Sequence, residues 1–451
     1  MPMENGWLGK RALVVGMARS GMAAAELLTA LGARAVLCDA KAAIPGMDAL
    51  LAAGCEAHLG EAAETLVAGC DAVIVSPAVP QDAPVCREAA RRGVPLLAEL
   101  EFAAQLVQGT QIAITGTNGK TTTCSMVGEM LKNAGRNAYV AGNIGLPLSA
   151  VALRTAPEDC TVIEVSSFQL EHMESFHPRV AALLNLTPDH LNRHGTMEVY
   201  GALKEGLLRN QHSGDRFIYN ADDPFCRAVA GRAQARAIPF SRTQVQEEGA
   251  WVGEGQIILQ GKALCGEEEL SLPGPHNLEN ALAAAAIAAE LAIPLPVIRH
   301  TLRTFAGVEH RMETVRMLGG VRYINDSKGT NPESSIRAVE GMRVPTVLIA
   351  GGYDKGISFD AFAEAIARSG HIAHAVLIGK TAGSIRDALA RAGFTACVMA
   401  GFDLEEAVRT ARSLAAEGGT VLFSPACASF DMFKDFEDRG RQYKELVNAL
   451  Q

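Results

Sequence analysis

Short apolar runs recur along the chain, each closing on a polar or glycine-rich turn and followed by a stretch with helical spacing. Residues 11–16 read as a buried strand, 22–31 as a helix, 35–38 as a second strand and 72–75 as a later one. The same alternation returns from residue 112, where a strand is followed by a helix over 122–132 and by apolar runs at 161–165, 180–185 and 216–219. It returns again at 321–324, 346–350, 375–378 and 420–423, between amphipathic stretches. Continuous rather than alternating apolar runs mark strands buried on both faces, and strand–helix alternation builds parallel sheets covered by helices.

At 451 residues the chain exceeds one ordinary hydrophobic core, so several domains are expected. The fold class read from the pattern is α/β, in three consecutive domains. A Rossmann-like N-terminal domain covers 1–98, a central phosphate-loop ATPase domain with a mostly parallel sheet covers 99–306, and a C-terminal Rossmann-like domain covers 307–451. The most lipid-like stretch, 281–298, is interrupted by Glu290, Pro294 and Pro296, and reads as a buried alanine-rich helix against a sheet rather than a membrane span.

Composition narrows the function classes. The chain is 48% hydrophobic and 20% charged, as a soluble globular protein is. Its formal charge of −9 opposes general binding to nucleic acid or to an anionic membrane, which needs a positive field. Anionic ligands must then be met locally by Lys, Arg, Mg²⁺ and helix termini. The ten cysteines form no Cys-x-x-Cys pair, which argues against zinc and against a disulfide framework and for a reducing cytoplasm. No secretory signal is visible in the first ten residues.

The strongest chemical signal is the run Thr115-Gly116-Thr117-Asn118-Gly119-Lys120-Thr121-Thr122 after an apolar strand. Glycines let backbone N–H groups approach phosphate oxygens, Lys120 can reach the β- and γ-phosphates, and the Thr121 hydroxyl is placed to hold Mg²⁺ at a helix start. The usual pattern has glycine five residues before Gly119, where this chain has Ile114. The run Gly16-Met17-Ala18-Arg19-Ser20-Gly21 resembles a dinucleotide-binding turn with Ala18 in place of its middle glycine, and Asp39 ends the second strand where an acidic residue would hold a ribose. A dinucleotide, another nucleotide or no ligand all stay open for it.

Other residues stand where open α/β sheets bind ligands, just past strand ends. Glu164 closes an apolar strand and is a candidate Mg²⁺ ligand or water-orienting group. Asp189 and His190 follow another strand, in a polar loop suited to a metal or a phosphate. Tyr200 and Lys204 are four apart on a helix and share a face, so Lys204 can point inward beside the ring. In the third region, polar turns at 325–332, 351–356 and 424–431 suggest a pocket for a small anionic substrate.

These motifs, together with His276-Asn277-x-x-Asn280, His310-Arg311 and Ser424-Pro-Ala-Cys-Ala-Ser429, resemble the Mur ligase family over essentially the full chain and in its order. The Ser-Ser-Phe-Gln-Leu-Glu run from 166 and the Ser-Phe-Asp-x-Phe-Lys segment from 429 point to its D-glutamate-adding branch. The resemblance implies a monomeric, cytoplasmic enzyme of peptidoglycan precursor synthesis. It would join D-glutamate to UDP-N-acetylmuramoyl-L-alanine with ATP as co-substrate, through an acyl phosphate and with two Mg²⁺ sites. By the same resemblance Lys120, Glu164, His190, Lys204 and Lys328 are catalytic. Thr121 and Glu164 hold one Mg²⁺, and His190 with Lys204, as a carbamate, serves the other. Thr115 to Thr122, Asn280, Arg311 and Asp326 face the nucleotide. Gly16, Met17, Ala18, Arg19, Ser20, Asp39, Ser76, Pro77, Ala78 and Asn143 meet the UDP-sugar, and Thr330, Lys355, Ser429 and Phe436 meet D-glutamate. Another amide ligase of the same build, adding alanine, diaminopimelate or a folate-linked glutamate, is the closest alternative. A phosphate-loop NTPase switch would use Lys120 and Thr121 but has no need of the third region's polar turns.

Overall fold

A computed structural model describes residues 6–143, 145–354 and 356–451, the side chain of Asn192 excepted. Two compact units result, Met1–Phe305 and Ala306–Gln451. The first carries two sheets and the second one, giving the three α/β layers the apolar runs predict.

The N-terminal sheet is parallel throughout, in the spatial order Glu56–Leu59, Arg34–Asp39, Arg11–Val15, Ala72–Val75, Leu96–Ala98. The chain order reverses beside Arg11–Val15, the kind of switch point at whose C-terminal strand ends open α/β sheets bind ligands. The helix Arg19–Ala30 follows directly. Glycine is obligatory on both sides of that turn. A Cβ on Gly21 would stand 2.0 Å from the Gly16 carbonyl oxygen, and Gly16 itself has φ +89° with Ser76 against it.

The central sheet has nine strands. Ala138–Gly142, Cys160–Glu164, Thr110–Thr115, Val180–Leu183, Arg216–Asn220, Arg236–Ser241 and Ala250–Gly253 run parallel, and Gln256–Leu259 and Lys262–Gly266 extend the edge as antiparallel hairpins. Those hairpins turn at Glu254-Gly255 and Gln260-Gly261, where all four residues have positive φ, the geometry of two-residue turns that match strand twist. The alanine-rich stretch differs from its expectation of one helix. Pro275–Glu290 packs its buried alanines on the sheet and on the helix Lys120–Asn133, and the chain then breaks before a second helix, Leu295–Thr304. Pro294 and Pro296 sit at that second start, where their missing N–H groups cost nothing. Among the described residues, no helix is long and apolar enough to cross a membrane.

One hydrophobic cluster runs from Val14 and Leu28 in the N-terminal layer through Leu100, Phe102 and Leu148 to Ile163 and Phe217 in the central one, so the first two sheets form a single unit. The second unit's sheet is ordered Glu313–Leu318, Val321–Asn325, Thr420–Phe423, Thr346–Gly351, Ile372–Ile378, Cys397–Gly401, antiparallel only at its first pair.

The helix Pro275–Glu290 is held to the central sheet by side chains such as Leu282, which is wholly buried. Leu282→Ala should therefore destabilise the first unit by about 2–5 kcal/mol, read as a lower midpoint in denaturant with an unchanged slope.

Candidate active site

The phosphate loop occupies the C-terminal ends of Thr110–Thr115 and Val180–Leu183, where the central sheet's order reverses. Gly119, at φ +84°, lets the chain enter the helix Lys120–Asn133, and a Cβ there would lie 2.1 Å from Asn280 Oδ1. Asn280 in turn accepts a hydrogen bond from Thr123 at 3.4 Å, so the helix Pro275–Glu290 braces the loop. From the other side Asn185 accepts the Asn118 N–H at 2.8 Å, and Thr187 N–H donates to Thr117 Oγ1 at 3.1 Å.

Two lysines converge on one atom of this loop. Lys120 Nζ donates to the Gly116 and Thr117 carbonyls, both at 2.8 Å, and Lys204 Nζ donates to the same Gly116 oxygen at 2.9 Å. Lys204 is 2% exposed and lies 4.5 Å from the centre of the Tyr200 ring, as their four-residue spacing predicts. The Tyr200 hydroxyl is 3.3 Å from Thr117 Oγ1, so the same face also steadies the loop. Burial, then the nearby charge of Lys120, pulls the Lys204 amine down to about 6. It is largely neutral at pH 7.

Thr121 Oγ1 donates to Glu164 Oε2 at 2.8 Å, and Asn143 Nδ2 donates to Glu164 Oε1 at 2.7 Å. Thr121 and Glu164 are both buried, which brings a hydroxyl and a carboxylate together at the helix start. His190, at φ +54°, is exposed beside Asp189 and packs on Phe168 with ring centroids 4.8 Å apart.

At the N-terminal switch point, Asp39 accepts the Met17 N–H at 2.7 Å and the Lys41 N–H at 2.9 Å, pinning the turn that carries Gly16 to Ser20. Arg19 donates to the Gly145 carbonyl, and the turn Ser76-Pro77-Ala78 begins with Ser76 N–H on Val15 O at 3.0 Å. Sequence reasoning missed a further pair. Arg193 forks onto Glu171 at 3.0 and 2.7 Å and donates to the Val79 carbonyl at 2.8 Å and to Ala78 at 3.4 Å. It thereby ties the Ser76 turn to the His190 loop.

In the second unit the three polar turns follow adjacent strands and are hydrogen-bonded together. Gly351 N–H donates to Pro425 O at 2.8 Å and Tyr353 N–H to Ala428 O at 2.9 Å. Ser424 Oγ donates to Asp326 Oδ2 at 2.6 Å, while Met312 N–H donates to Asp326 Oδ1 at 3.2 Å. Burial raises Asp326 to about 6 against these bonds. Its carboxylate is engaged inside the unit, whereas Arg311, its expected companion at the nucleotide, is exposed. Arg439, also missed, is wholly buried and donates to Ser327 O at 2.8 Å, Ser327 Oγ at 3.0 Å, Cys427 O at 3.0 Å and Ala428 O at 3.2 Å. It clasps the first and third turns. Ser429 is buried within the third, Thr330 N–H donates to Lys328 O and Lys328 N–H to His310 O, and the Phe436 carbonyl accepts from Ser327 Oγ at 2.8 Å. Lys355 lies outside the described residues. A cavity of about 630 Å³ in this unit, around Phe402, Phe433 and Leu446, contains none of the expected residues.

A glycine-rich loop with a Thr–Glu pair and a desolvated lysine is therefore combined with a separate unit of polar turns. Family models match all three layers: a MurD-like N-terminal domain over residues 10–98, the Mur ligase middle domain over 114–288, and the Mur ligase glutamate ligase domain over 310–427. The UDP-N-acetylmuramoylalanine–D-glutamate ligases of Alkaliphilus oremlandii and Pelotomaculum thermopropionicum are 45% and 46% identical to the chain, each match covering 98% of both chains. The chain belongs to the Mur ligase family. Among solved structures, the UDP-N-acetylmuramate-alanine ligase of Thermotoga maritima superposes with a TM-score of 0.60 at 20% identity, covering 98% of this chain and 99% of that one. A Mur ligase of Acinetobacter baumannii, MurF, gives 0.59 at 19%, over 96% and 93%. These two share the fold. The match to the Mur ligase middle domain begins at Ile114, so it includes the whole loop.

Desolvation of the Lys204 amine couples its proton to folding. An unfolded lysine titrates near 10.4, so between that pH and about 6 the unfolded chain binds the proton that the folded chain refuses. Stability attributable to this group rises with pH across that window and is level below it. Lys204→Met should flatten the rise, measured as denaturant midpoints from pH 6 to 10; an unchanged slope would place the amine in water.

Proposed function

We propose that the chain joins D-glutamate to UDP-N-acetylmuramoyl-L-alanine, converting ATP to ADP and phosphate, in peptidoglycan precursor synthesis. What carries the reading is full-length likeness, at 41–46% identity, to relatives that bear this activity in their names. The ten free cysteines accord with a reducing compartment, taken here as the cytoplasm. A carboxylate is a poor electrophile, and the chemistry answers this by activation. The alanyl carboxylate oxygen attacks the γ-phosphorus, ADP leaves, and an acyl phosphate forms. The amine of D-glutamate, having lost a proton, then attacks the acyl carbon, and the C–O bond to phosphate breaks.

Both steps gather negative charge, so the protein's task is neutralisation and in-line placement. Lys120 and the N–H groups at the start of Lys120–Asn133 would meet the β- and γ-phosphates. Thr121 and Glu164 offer the hard oxygen donors that Mg²⁺ takes, buried and already paired, and so fit a first ion. By family likeness His190 and Lys204 would serve a second, the neutral Lys204 amine being able to add to CO₂ and release a proton to become a carbamate. Bound there, Mg²⁺ would supply charge compensation to the transferring phosphoryl group. The turns carrying Gly16 to Ser20, Asp39 and Ser76 to Ala78 would hold the UDP moiety, with Asn143 near the transferring group. Asn280, Arg311 and Asp326 are assigned to the nucleotide, Lys328 to the reacting phosphate, and Thr330, Lys355, Ser429 and Phe436 to the amino acid.

The decisive assay is phosphate release from Mg-ATP with UDP-N-acetylmuramoyl-L-alanine, offering D-glutamate, L-glutamate, L-alanine or diaminopimelate singly and weighing the product. Turnover with D-glutamate alone is expected. Turnover with another amino acid would move the chain to a sister ligase, and release without amino acid or UDP-sugar would favour an NTPase switch. Within the ligase reading, Ser429→Ala should raise the KM for D-glutamate by about tenfold, roughly 1.4 kcal/mol, and leave that for ATP within about twofold; a larger change for ATP would reassign the turn.

A further inference from the structure

The pairing of two strands brings a second set of metal-binding groups together, far along the central sheet from the phosphate loop. His177 precedes the strand Val180–Leu183, and His212 and Asp215 precede its parallel neighbour Arg216–Asn220. The three side chains meet at the N-terminal ends of these strands, whereas the phosphate loop follows a C-terminal end. One ligand atom from each lies within 4.8 Å of the others. His177 Nε2 is 2.7 Å and His212 Nδ1 3.4 Å from Asp215 Oδ2. Asp215 is wholly buried, yet its Oδ1 has no hydrogen-bond partner, and Arg179 Nη1 stands 3.6 Å away. Arg179 faces that oxygen as an ion pair, while both imidazole nitrogens approach the other one, Oδ2, which is the oxygen a metal ion would share with them.

We propose that His177, His212 and Asp215 form a binding site for a divalent transition-metal ion of the zinc class, with water completing its shell. Two imidazoles and one carboxylate suit Zn²⁺, Co²⁺ or Ni²⁺ rather than Mg²⁺, which prefers oxygen alone. Ligands about 2.0–2.1 Å from a tetrahedral ion stand roughly 3.4 Å apart. The His212–Asp215 separation of 3.4 Å already meets this, and the His177–Asp215 contact of 2.7 Å must open slightly. Side chains 41% and 59% exposed can make that adjustment. The cost is the Gly214 N–H bond to His212 Nδ1, 3.1 Å long, which a metal-bound lone pair gives up, and the repulsion of Arg179. His212 N–H, donating to Asp215 Oδ2 at 2.8 Å, can stay. An ion here would staple the entries of two neighbouring strands and stabilise the fold by mass action.

The test uses the full-length chain freed of metal by a chelator, titrated with Co²⁺ and followed by its visible absorption, with Zn²⁺-dependent thermal denaturation alongside. Wild type should take up one ion more per chain than His177→Ala or His212→Ala, and Zn²⁺ should raise its midpoint by several degrees more than theirs. Metal-free midpoints of the two surface variants report whether they fold. Equal stoichiometry and equal shifts in all three proteins would overturn the site, placing any bound ion on other histidines or cysteines. An equal shift from Mg²⁺, lost in the same variants, would overturn the zinc-class assignment.

Discussion

A single backbone oxygen bears much of the first unit's chemistry. The Gly116 carbonyl accepts from both Lys120 and Lys204, and two ammonium groups drawn to one atom repel each other. Because Lys204 is also buried against Tyr200, it is the one that yields its proton. The loop thus sets a largely neutral amine beside the charge of Lys120. That division of labour requires a rigid loop, and rigidity comes from all sides: Asn280 behind Gly119, Asn185 under Asn118, and Thr187 and Tyr200 around Thr117. Asn185 follows the strand Val180–Leu183, whose Ala181 and Leu183 belong to the first unit's hydrophobic cluster, and Asn280 and Tyr200 stand within the helices Pro275–Glu290 and Met197–Glu205.

The second unit solves a related problem with one buried cation. Its three turns expose carbonyls to each other in the interior, and Arg439 satisfies four oxygens across two of them. Burial draws its guanidinium down to about 10, so it stays charged at any ordinary pH. A lysine could not reproduce the fork, because its donors leave one nitrogen rather than a plane. Ser424 and Ser335 extend the same seam to Asp326, where burial and hydrogen bonding pull in opposite directions and leave the carboxyl near 6.

Much of this was legible in the sequence, for identifiable reasons. Parallel strands buried on both faces leave unbroken apolar runs, so Arg11–Val15, Thr110–Thr115, Val180–Leu183 and Thr346–Gly351 were readable. The hairpins at Ala250–Gly253 and Gln256–Leu259 were not read, although glycine at 255 and 261 marks their turns, because four-residue strands with partly exposed side chains carry little pattern. Lys204 was placed correctly by its spacing from Tyr200. Asp39 and Asp326 were legible as positions after strands, but not in what they hold, because backbone N–H groups have no sequence signature. Arg439 sits among Glu437, Asp438 and Arg441 on an amphipathic helix and reads as one more surface charge. Only the tertiary fold shows which arginine turns inward.

Arg193 illustrates why such residues matter to chemistry performed elsewhere. Its fork to Glu171 is largely screened from water, and its remaining donors reach carbonyls of another layer, so breaking it would strand a buried carboxylate. The segment from Leu191 to His194 is one short helical turn, held also by His194 against Ser167 at 3.0 Å. His190 begins that turn and the Ser76 loop ends at the same arginine, so neither can shift without the other. In the proposed reaction one loop meets the nucleotide end of a long substrate and the other its reacting end. A rigid link between them converts binding at the distant end into placement at the near one, which is how remote binding energy serves catalysis.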